Sequence, residues 1–528
     1  MIYSSVPAQT YKWADLVPLN FQFNPSLLHS PVAVDNAGNP VCARLVNYKE
    51  IYSSTIYGDI KLEKRNPSGS LLWESTIYGE ADVSKITFDT DDNVICIGTY
   101  RDTITIETSR LIHSGSGAGN FILKLNNTGN LDWLKGGTEF PQYGVVTALG
   151  IKTSDNFLVG VTNYGTNSNI YEFNPDGNLV STIEQPGVET INDLSVDNFG
   201  TIWATGFAFD GQVSFNGLDT IAPFIYNDYV VKYNSSGSAQ WVNFIEDVSI
   251  GNFNIVTDNS GNAYLSGNLF TPMQFGNLHA NGPQWVYDFF VTKIDPDGNY
   301  LWLNEIPPGN NLGDATIGNS NFLSCSEDGD IYITGFIREQ VDFGNGVILS
   351  ATEYDAALVL SYDSDGTVQW GKLAESDAFD VGCGIITDNN GSCYVTGVMN
   401  QNAVFDTITI TGGEINLFLA KLNFDSPVNV EDGLRDNNNV AEDYILMQNY
   451  PNPFNPTTSL QYAVSSQQFV TLKLFDLLGR EVATLVNEDK PPGTYEVEFN
   501  ASGLVSGIYM YRLTAGSFTE TKKMILLR

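Results

Sequence analysis

The sequence predicts an all-β fold: repeated four-stranded sheets over residues 1–424, then a small separate β-sandwich over 443–528. Three observations predict it. The 528 residues are dense in turn and strand formers (49 Gly, 26 Tyr, 30 Phe) and only 16% charged, which is not the composition of a helical or coiled-coil protein. Hydrophobic residues at 42% and aromatics at 12% suffice for real cores. A pair of hairpin signals also recurs along the chain, with strict alternation of apolar and polar residues between Asx-Gly turns.

The repeat is carried by two elements. VVKYNSSGSAQW ending at Trp241, VTKIDPDGNYLW ending at Trp302 and LVLSYDSDGTVQW ending at Trp370 are close copies. FILKLNNTGNLDW ending at Trp133 and IKLEKRNPSGSLLW ending at Trp73 share the pattern, and IYEFNPDGNLVS has Ser181 where Trp is expected. The spacings are 60, 48, 60, 61 and 68 residues. A second element precedes each: VDNFGTIWATG (196–206), TDNSGNAYLSG (257–267), SEDGDIYITG (326–335) and TDNNGSCYVTG (387–397), with looser copies at 35–43, 89–98 and 154–160. Each unit thus holds an apolar run, an Asp/Asn-Gly turn and an alternating strand, twice over. Four short strands in roughly 50–60 residues make one propeller blade.

The turn–strand element occurs seven times, so a seven-bladed β-propeller is expected. The last copy ends as NLFLAKLNFDS (416–426) without a Trp strand, whereas TYKWADL (10–16) supplies a Trp strand with no blade before it. An N-terminal strand carrying Trp13 should therefore close the ring and remove an exposed sheet edge. These motifs resemble the bacterial seven-bladed propeller repeats, whose signature runs from [DN]-x-x-G-x-x-Y-x-[ST]-G to K-[YIL]-[DN]-x-x-G-x-x-x-W. The resemblance covers roughly residues 10–424. It implies an architecture and no defined chemistry.

Trp73, Trp133, Trp241, Trp302 and Trp370, with Trp13, occupy one repeat position, which makes them packing residues between blades; a sugar-stacking platform is the alternative. Trp203 and Trp285 lie off that position, and Trp285, in the loop-like NGPQWVYD, is the candidate ligand contact. The Asp-rich turns at Asp295, Asp297, Asp363 and Asp365 raise weak calcium binding as an alternative. Calcium wants six to eight oxygens, however, and these turns lack the closing Glu of an EF-hand loop. Asp and Asn dominate tight turns for their own backbone chemistry, so no cofactor is expected. A sialidase is disfavoured because Gly298 directly follows Asp297, and because Arg44, Arg65, Arg101, Arg110 and Arg338 hold non-equivalent repeat positions.

The chain has 25 Lys+Arg against 61 Asp+Glu, a net charge of −36. Such a field repels phosphate backbones and anionic lipid, so nucleic acid is excluded as a partner. Residues 443–528 carry 7 basic and 8 acidic side chains, so the acidity belongs to the first 442 residues. Three histidines leave little for His-based catalysis. Five cysteines (Cys42, Cys96, Cys325, Cys383, Cys393) at irregular spacing give no disulfide framework; Cys42 and Cys96 read as small buried hydrophobes. No run approaches the length of a transmembrane helix, and MIYSSVPAQTYKWADL lacks the pattern of a signal peptide. Either the protein is cytosolic or its leader lies outside this chain.

Residues 425–442, DSPVNVEDGLRDNNNVAE, form an acidic, apolar-poor linker. Beyond it, SLQYAV (459–464), VTLKLFD (470–476), YEVEFN (495–500), GIYMYRL (507–513) and KKMILLR (522–528) read as strands of an Ig-like sandwich. NYPNPFNPTT (449–458) reads as a rigid extended lead-in. With LKLFDLLGREVATL (472–485) and FNASGLVSGIYMYRL (499–513), these motifs resemble the type A C-terminal sorting domain of the type IX secretion system of Bacteroidetes. The resemblance makes Asn449, Pro451, Pro453, Gly479, Gly507, Tyr509 and Lys523 the sorting-signal residues and the type IX machinery a partner. It implies passage across the outer membrane, removal of the domain near the linker, and release or surface attachment. That route requires a leader, so the chain is read as lacking one.

The expected function is a secreted or surface-attached binding or adhesion module, non-enzymatic, recognising a glycan or protein through variable loops. The alternative is an extracellular polysaccharide hydrolase using a carboxylate pair near the central channel.

Overall fold

The computed structural model describes residues 9–19, 28–424 apart from 53–54, 116, 137–143, 164, 166, 247–252, 284–285, 309–310, 319–320 and 389–390, and, further on, 445–446, 449, 454, 456–464, 467–476, 480–491, 493–516 and 518–526. Every regular element among them is a β-strand. The chain divides into two compact units, Met1–Val428 and Asn429–Arg528.

The first unit is a β-propeller built from four-stranded antiparallel sheets. Thr190–Val196, Ile202–Phe215, Leu218–Tyr233 and Ala239–Glu246 make one such sheet in chain order, and Val145–Ile151, Phe157–Thr162, Asn169–Phe173 and Leu179–Glu184 make its predecessor. Leu71–Phe88 serves two sheets: residues 71–81 pair with Thr55–Arg65, and residues 78–88 pair with Val94–Ile106. The strand Gln9–Leu19 pairs antiparallel with Ile415–Phe424, Leu16 facing Phe418, outside Ser392–Asn400 and Val381–Thr387.

The innermost strands touch in succession: Val32–Val34, Leu71–Phe88, Val145–Ile151, Thr190–Val196, Asn254–Thr257, Leu323–Cys325 and Val381–Thr387, the last returning to the first. Between neighbouring sheets lie apolar layers. Ile95 and Ile122 pack with Phe157 and Val159, Trp203 and Val230 with Ile255 and Leu265, and Tyr394 and Leu419 with Val32 and Cys42. Because each sheet is covered on both faces, its middle strands are near-continuous apolar runs. Gly119–Leu125 and Ala356–Tyr362 are buried throughout, while the outer Leu131–Gly136 stays half-exposed.

Antiparallel pairing puts the Asx-Gly turns of every sheet at one end and the connections from second to third strand at the other. Most of these turns close in the same way. The first residue's amide donates to the carbonyl four positions on, as in Asp35 to Asn39 and Asp295 to Asn299, and its side-chain oxygen accepts amides two and four positions on.

The second unit has two sheets, Ile445–Leu446, Thr457–Val464, Gly493–Asn500 and Glu481–Lys490, Gln468–Phe475, Gly507–Ala515, Phe518–Leu526, contributing to one core around Leu460, Leu472, Tyr511, Leu513 and Met524. The strand Glu481–Lys490 is an element the sequence reading did not separate.

Candidate functional site

At the turn end, five tryptophans of the repeat reach into the turn of the next sheet. The indole N–H of Trp13 donates to the Pro67 carbonyl at 3.0 Å, Trp73 to Asn127 at 3.0 Å and Trp133 to Pro175 at 3.2 Å. Trp241 donates to Pro296 and Trp302 to Ser364, both at 3.1 Å. Each ring lies on the glycine of the turn it reaches. Gly298 and Gly366 have φ of 90° and 85°, and a Cβ there would stand 3.1 and 2.7 Å from Trp241 and Trp302. Only glycine satisfies both demands. Trp370 is buried, 6.1 Å from the Tyr332 ring. Where the sequence has Ser181, Ile183 covers Gly237 instead.

The carboxylates considered for calcium are engaged by their own turns. Asp295 accepts from the Asp297 and Asn299 amides and from the Asn299 side chain; Asp363 accepts from the Asp365 and Thr367 amides and from Gln369. Among the described residues, no group of three His, Cys, Asp or Glu is placed to hold a metal ion. Trp285 lies outside the described residues, as do Pro451, Pro453 and Gly479.

The innermost strands enclose a cavity of about 590 Å³. Their free edges supply its walls, so backbone amides and carbonyls alternate with Ser, Thr, Asn and aliphatic side chains. Of its four carboxylates, Asp197 accepts the Phe199 and Thr201 amides of its own turn and the other three meet lysines. Asp35 meets Lys64 at 2.8 Å, Asp89 meets Lys124 at 2.7 Å, and Asp193 meets Lys85 at 2.8 Å while accepting the Ile255 amide. Burial pulls the Asp35 and Asp89 carboxyls upward, but hydrogen bonds from the lysines and from Asn39 and Asn93 win and hold both below the ordinary range. The cavity therefore holds anchored ions beside exposed backbone.

Two acids pushed up to about 7 lie at the loop end. Asp288, buried at the start of Phe289–Ile294, accepts from the Phe289 and Ile306 amides at 2.7 and 3.2 Å. Desolvation, with the charges of Glu305 and Asp314 nearby, pushes it to about 7. Asp380 accepts from the Ser376 amide and hydroxyl and the Asn400 amide, and burial likewise pushes it to about 7. Sequence reasoning missed both. For Asp288 a signal existed: an Asp or Asn recurs near the start of the third strand in most repeats (Asp59, Asn120, Asp228, Asp288, Asp355, Asn416), whereas Asp380, just before the first strand of its sheet, has no such marker.

A raised carboxyl pKa means the folded state binds the proton more tightly than the unfolded chain, so stability falls as pH rises from about 4 to about 7. Across that window the Asp288 shift is worth at most about 4 kcal/mol. Asp288→Asn keeps the accepting oxygen and removes the charge. Its melting temperature should exceed that of the parent by a few degrees at pH 8 and converge on it as pH falls to about 4; thermal melts at the two pH values check this.

In the second unit, Asn449 is buried, its amide donating to the Tyr511 hydroxyl at 2.8 Å and its side chain to Thr458 at 2.9 Å. Tyr509 donates to the Val505 carbonyl at 2.9 Å, Gly507 pairs with Leu526, and Lys523 faces Met510. The lead-in around NYPNPFNPTT is thus tied to the core at Asn449 and at Phe454, whose amide donates to Ile525 at 2.9 Å.

Residues 448–527 match the family model described as a secretion system C-terminal sorting domain. Over 384 residues the chain is 23% identical to an uncharacterized WD repeat-containing protein of Acanthamoeba polyphaga mimivirus, covering 64% of this chain and 26% of that protein. The chain thus spans only a minor part of that relative's length. Among solved structures it is similar to a protein of unknown function from Bacteroides caccae, at 12% identity, 60% of this chain, 90% of the other and a TM-score of 0.32. It is also similar to PorZ, an essential bacterial surface component of the type-IX secretion system of Porphyromonas gingivalis, at 11% identity, 94% of this chain, 70% of the other and a TM-score of 0.28. No helix among the described residues is long and apolar enough to cross a membrane.

Proposed function

We propose that this chain is carried across the outer membrane by the type IX machinery and works outside the cell, secreted or surface-attached, as a non-enzymatic propeller that recognises a glycan or protein. The observation that carries export is the match of residues 448–527 to a sorting domain. In this reading residues 1–424 are seven blades closed by the strand of Trp13. The ring of innermost strands and the pairing of Gln9–Leu19 with Ile415–Phe424 support it. Residues 425–442 are a linker and 443–528 an Ig-like sandwich. The tryptophans act as staples between blades, supported by their hydrogen bonds to neighbouring turns. Binding is favoured over catalysis because three carboxylates of the central cavity are paired with lysines and the fourth, Asp197, accepts the amides of its own turn.

The second reading, a polysaccharide hydrolase, draws on Asp288 and Asp380, whose carboxyls near 7 suit a general acid. One experiment has two arms. Deleting residues 443–528 in an export-competent host should abolish surface delivery; undiminished export refutes the sorting role. A glycan array beside chromogenic glycosides should give binding without turnover. Turnover that disappears in both Asp288→Asn and Asp380→Asn establishes the hydrolase instead.

A further inference from the structure

A second cavity, of about 300 Å³, lies at the loop end of the propeller, lined by Arg338, Glu339, Thr352, Glu353, Tyr354, Asp355 and Phe379. We propose that it is a subsite for one uncharged sugar residue; this inference rests on the reading of the propeller as a binding module and deepens its glycan arm. The volume sits at the lower end of ligand pockets, about 300–1,000 Å³, so it admits a single ring and not a chain. Tyr354 is 53% exposed although its neighbours Ala351 and Asp355 are buried, and Phe379 adds a second aromatic to the wall. An aromatic face is electron-rich and attracts the weakly positive C–H face of a pyranose.

The polar groups are fixed. The Arg338 guanidinium donates to both oxygens of Asp355, at 2.8 and 2.7 Å, a fork that holds its plane and cancels its charge. The loop bearing Tyr354 is fastened by Glu375, which accepts from the Thr352 amide and hydroxyl at 3.1 and 2.9 Å. Glu339 holds φ at 52°, where a glutamate is uncommon. Neither the Glu339 nor the Glu353 carboxylate has a hydrogen-bond or ion-pair partner among the described residues, which leaves both free to accept from vicinal hydroxyls. The same two charges repel sialic and uronic acids, and the spent guanidinium offers those acids no compensation.

The test uses the full chain, with neutral, amino and sialylated or uronic oligosaccharides on one array, followed by calorimetric titration of the best neutral binder. Tyr354→Ala should weaken that binder at least tenfold, Tyr354→Phe should retain it, and Glu353→Gln should weaken it measurably; Tyr354 and Glu353 are exposed, and melts confirm the fold. Neutral binding that survives both Tyr354→Ala and Glu353→Gln overturns this subsite and leaves the broader reading standing. Binding confined to amino or acidic sugars overturns the uncharged class. An array with no binder overturns the subsite and the glycan arm together, leaving a protein ligand.

Discussion

Deleting residues 1–19 is expected to lower the melting temperature of the propeller by at least about 10 °C and to make it aggregate. The reasons are structural and additive. Gln9–Leu19 pairs with Ile415–Phe424 along its length, and its loss leaves the latter as an open, hydrophobic edge, a template for pairing with other chains. Buried Tyr11 and Leu19 leave the core. Arg44, 1% exposed, donates to Asp15 at 2.8 Å, and removal of that carboxylate strips a buried cation of one partner, a class of change that costs about 3–5 kcal/mol. Glu63, 3.6 Å away, offers only partial compensation. Calorimetry and size-exclusion chromatography check this. A deletion variant that elutes as the parent does and melts within about 2 °C of it would refute the role given to this strand.

The second large effect is expected at Lys64. Lys64 and Asp35 are both buried, 2.8 Å apart, and the lysine also lies 5.0 Å from the Phe88 ring. Lys64→Met keeps the packing on Phe88 but strands the Asp35 carboxylate, at a cost of about 3–5 kcal/mol at neutral pH. The double variant Asp35→Asn/Lys64→Met removes the stranded charge and keeps the Oδ1 that accepts the Ala37 and Asn39 amides. It should recover most of the loss. Because the Asp35 carboxyl is held below its ordinary range, the pair's contribution is present at neutral pH and disappears as pH falls through that lowered value. The single variant's deficit should therefore shrink in acid. Denaturant unfolding of the three proteins at pH 7 and pH 3 checks both statements; an equal deficit in the single and double variants would refute the pairing argument.

The strands and turns were legible in the sequence for a local reason. Hairpins are specified by neighbours, so Asp295 through Asn299 predicts its own turn without knowledge of the rest. The position of the tryptophans was legible too, because a fixed offset from that turn repeats. The compensation at Ile183 was not, since Ser181 gives no sign that a residue two positions on covers Gly237. Nor was the cavity at Arg338. Arg338, Glu353 and Phe379 come from different connections, and no sequence spacing announces that three loops meet. Asp380 was hidden among 61 acidic residues; its burial, and not its type, distinguishes it.

The pairing of Gln9 with Phe424 joins residues some 400 positions apart, the most remote kind of contact a chain can make. Contacts of long sequence separation form slowly, and this one has no partner until the rest of the ring exists. The strand Gln9–Leu19 is therefore the last of the propeller to dock. Refolding should end in a slow phase that follows the environment of Trp13, and until that phase completes the molecule carries an adhesive margin that a chaperone must shield.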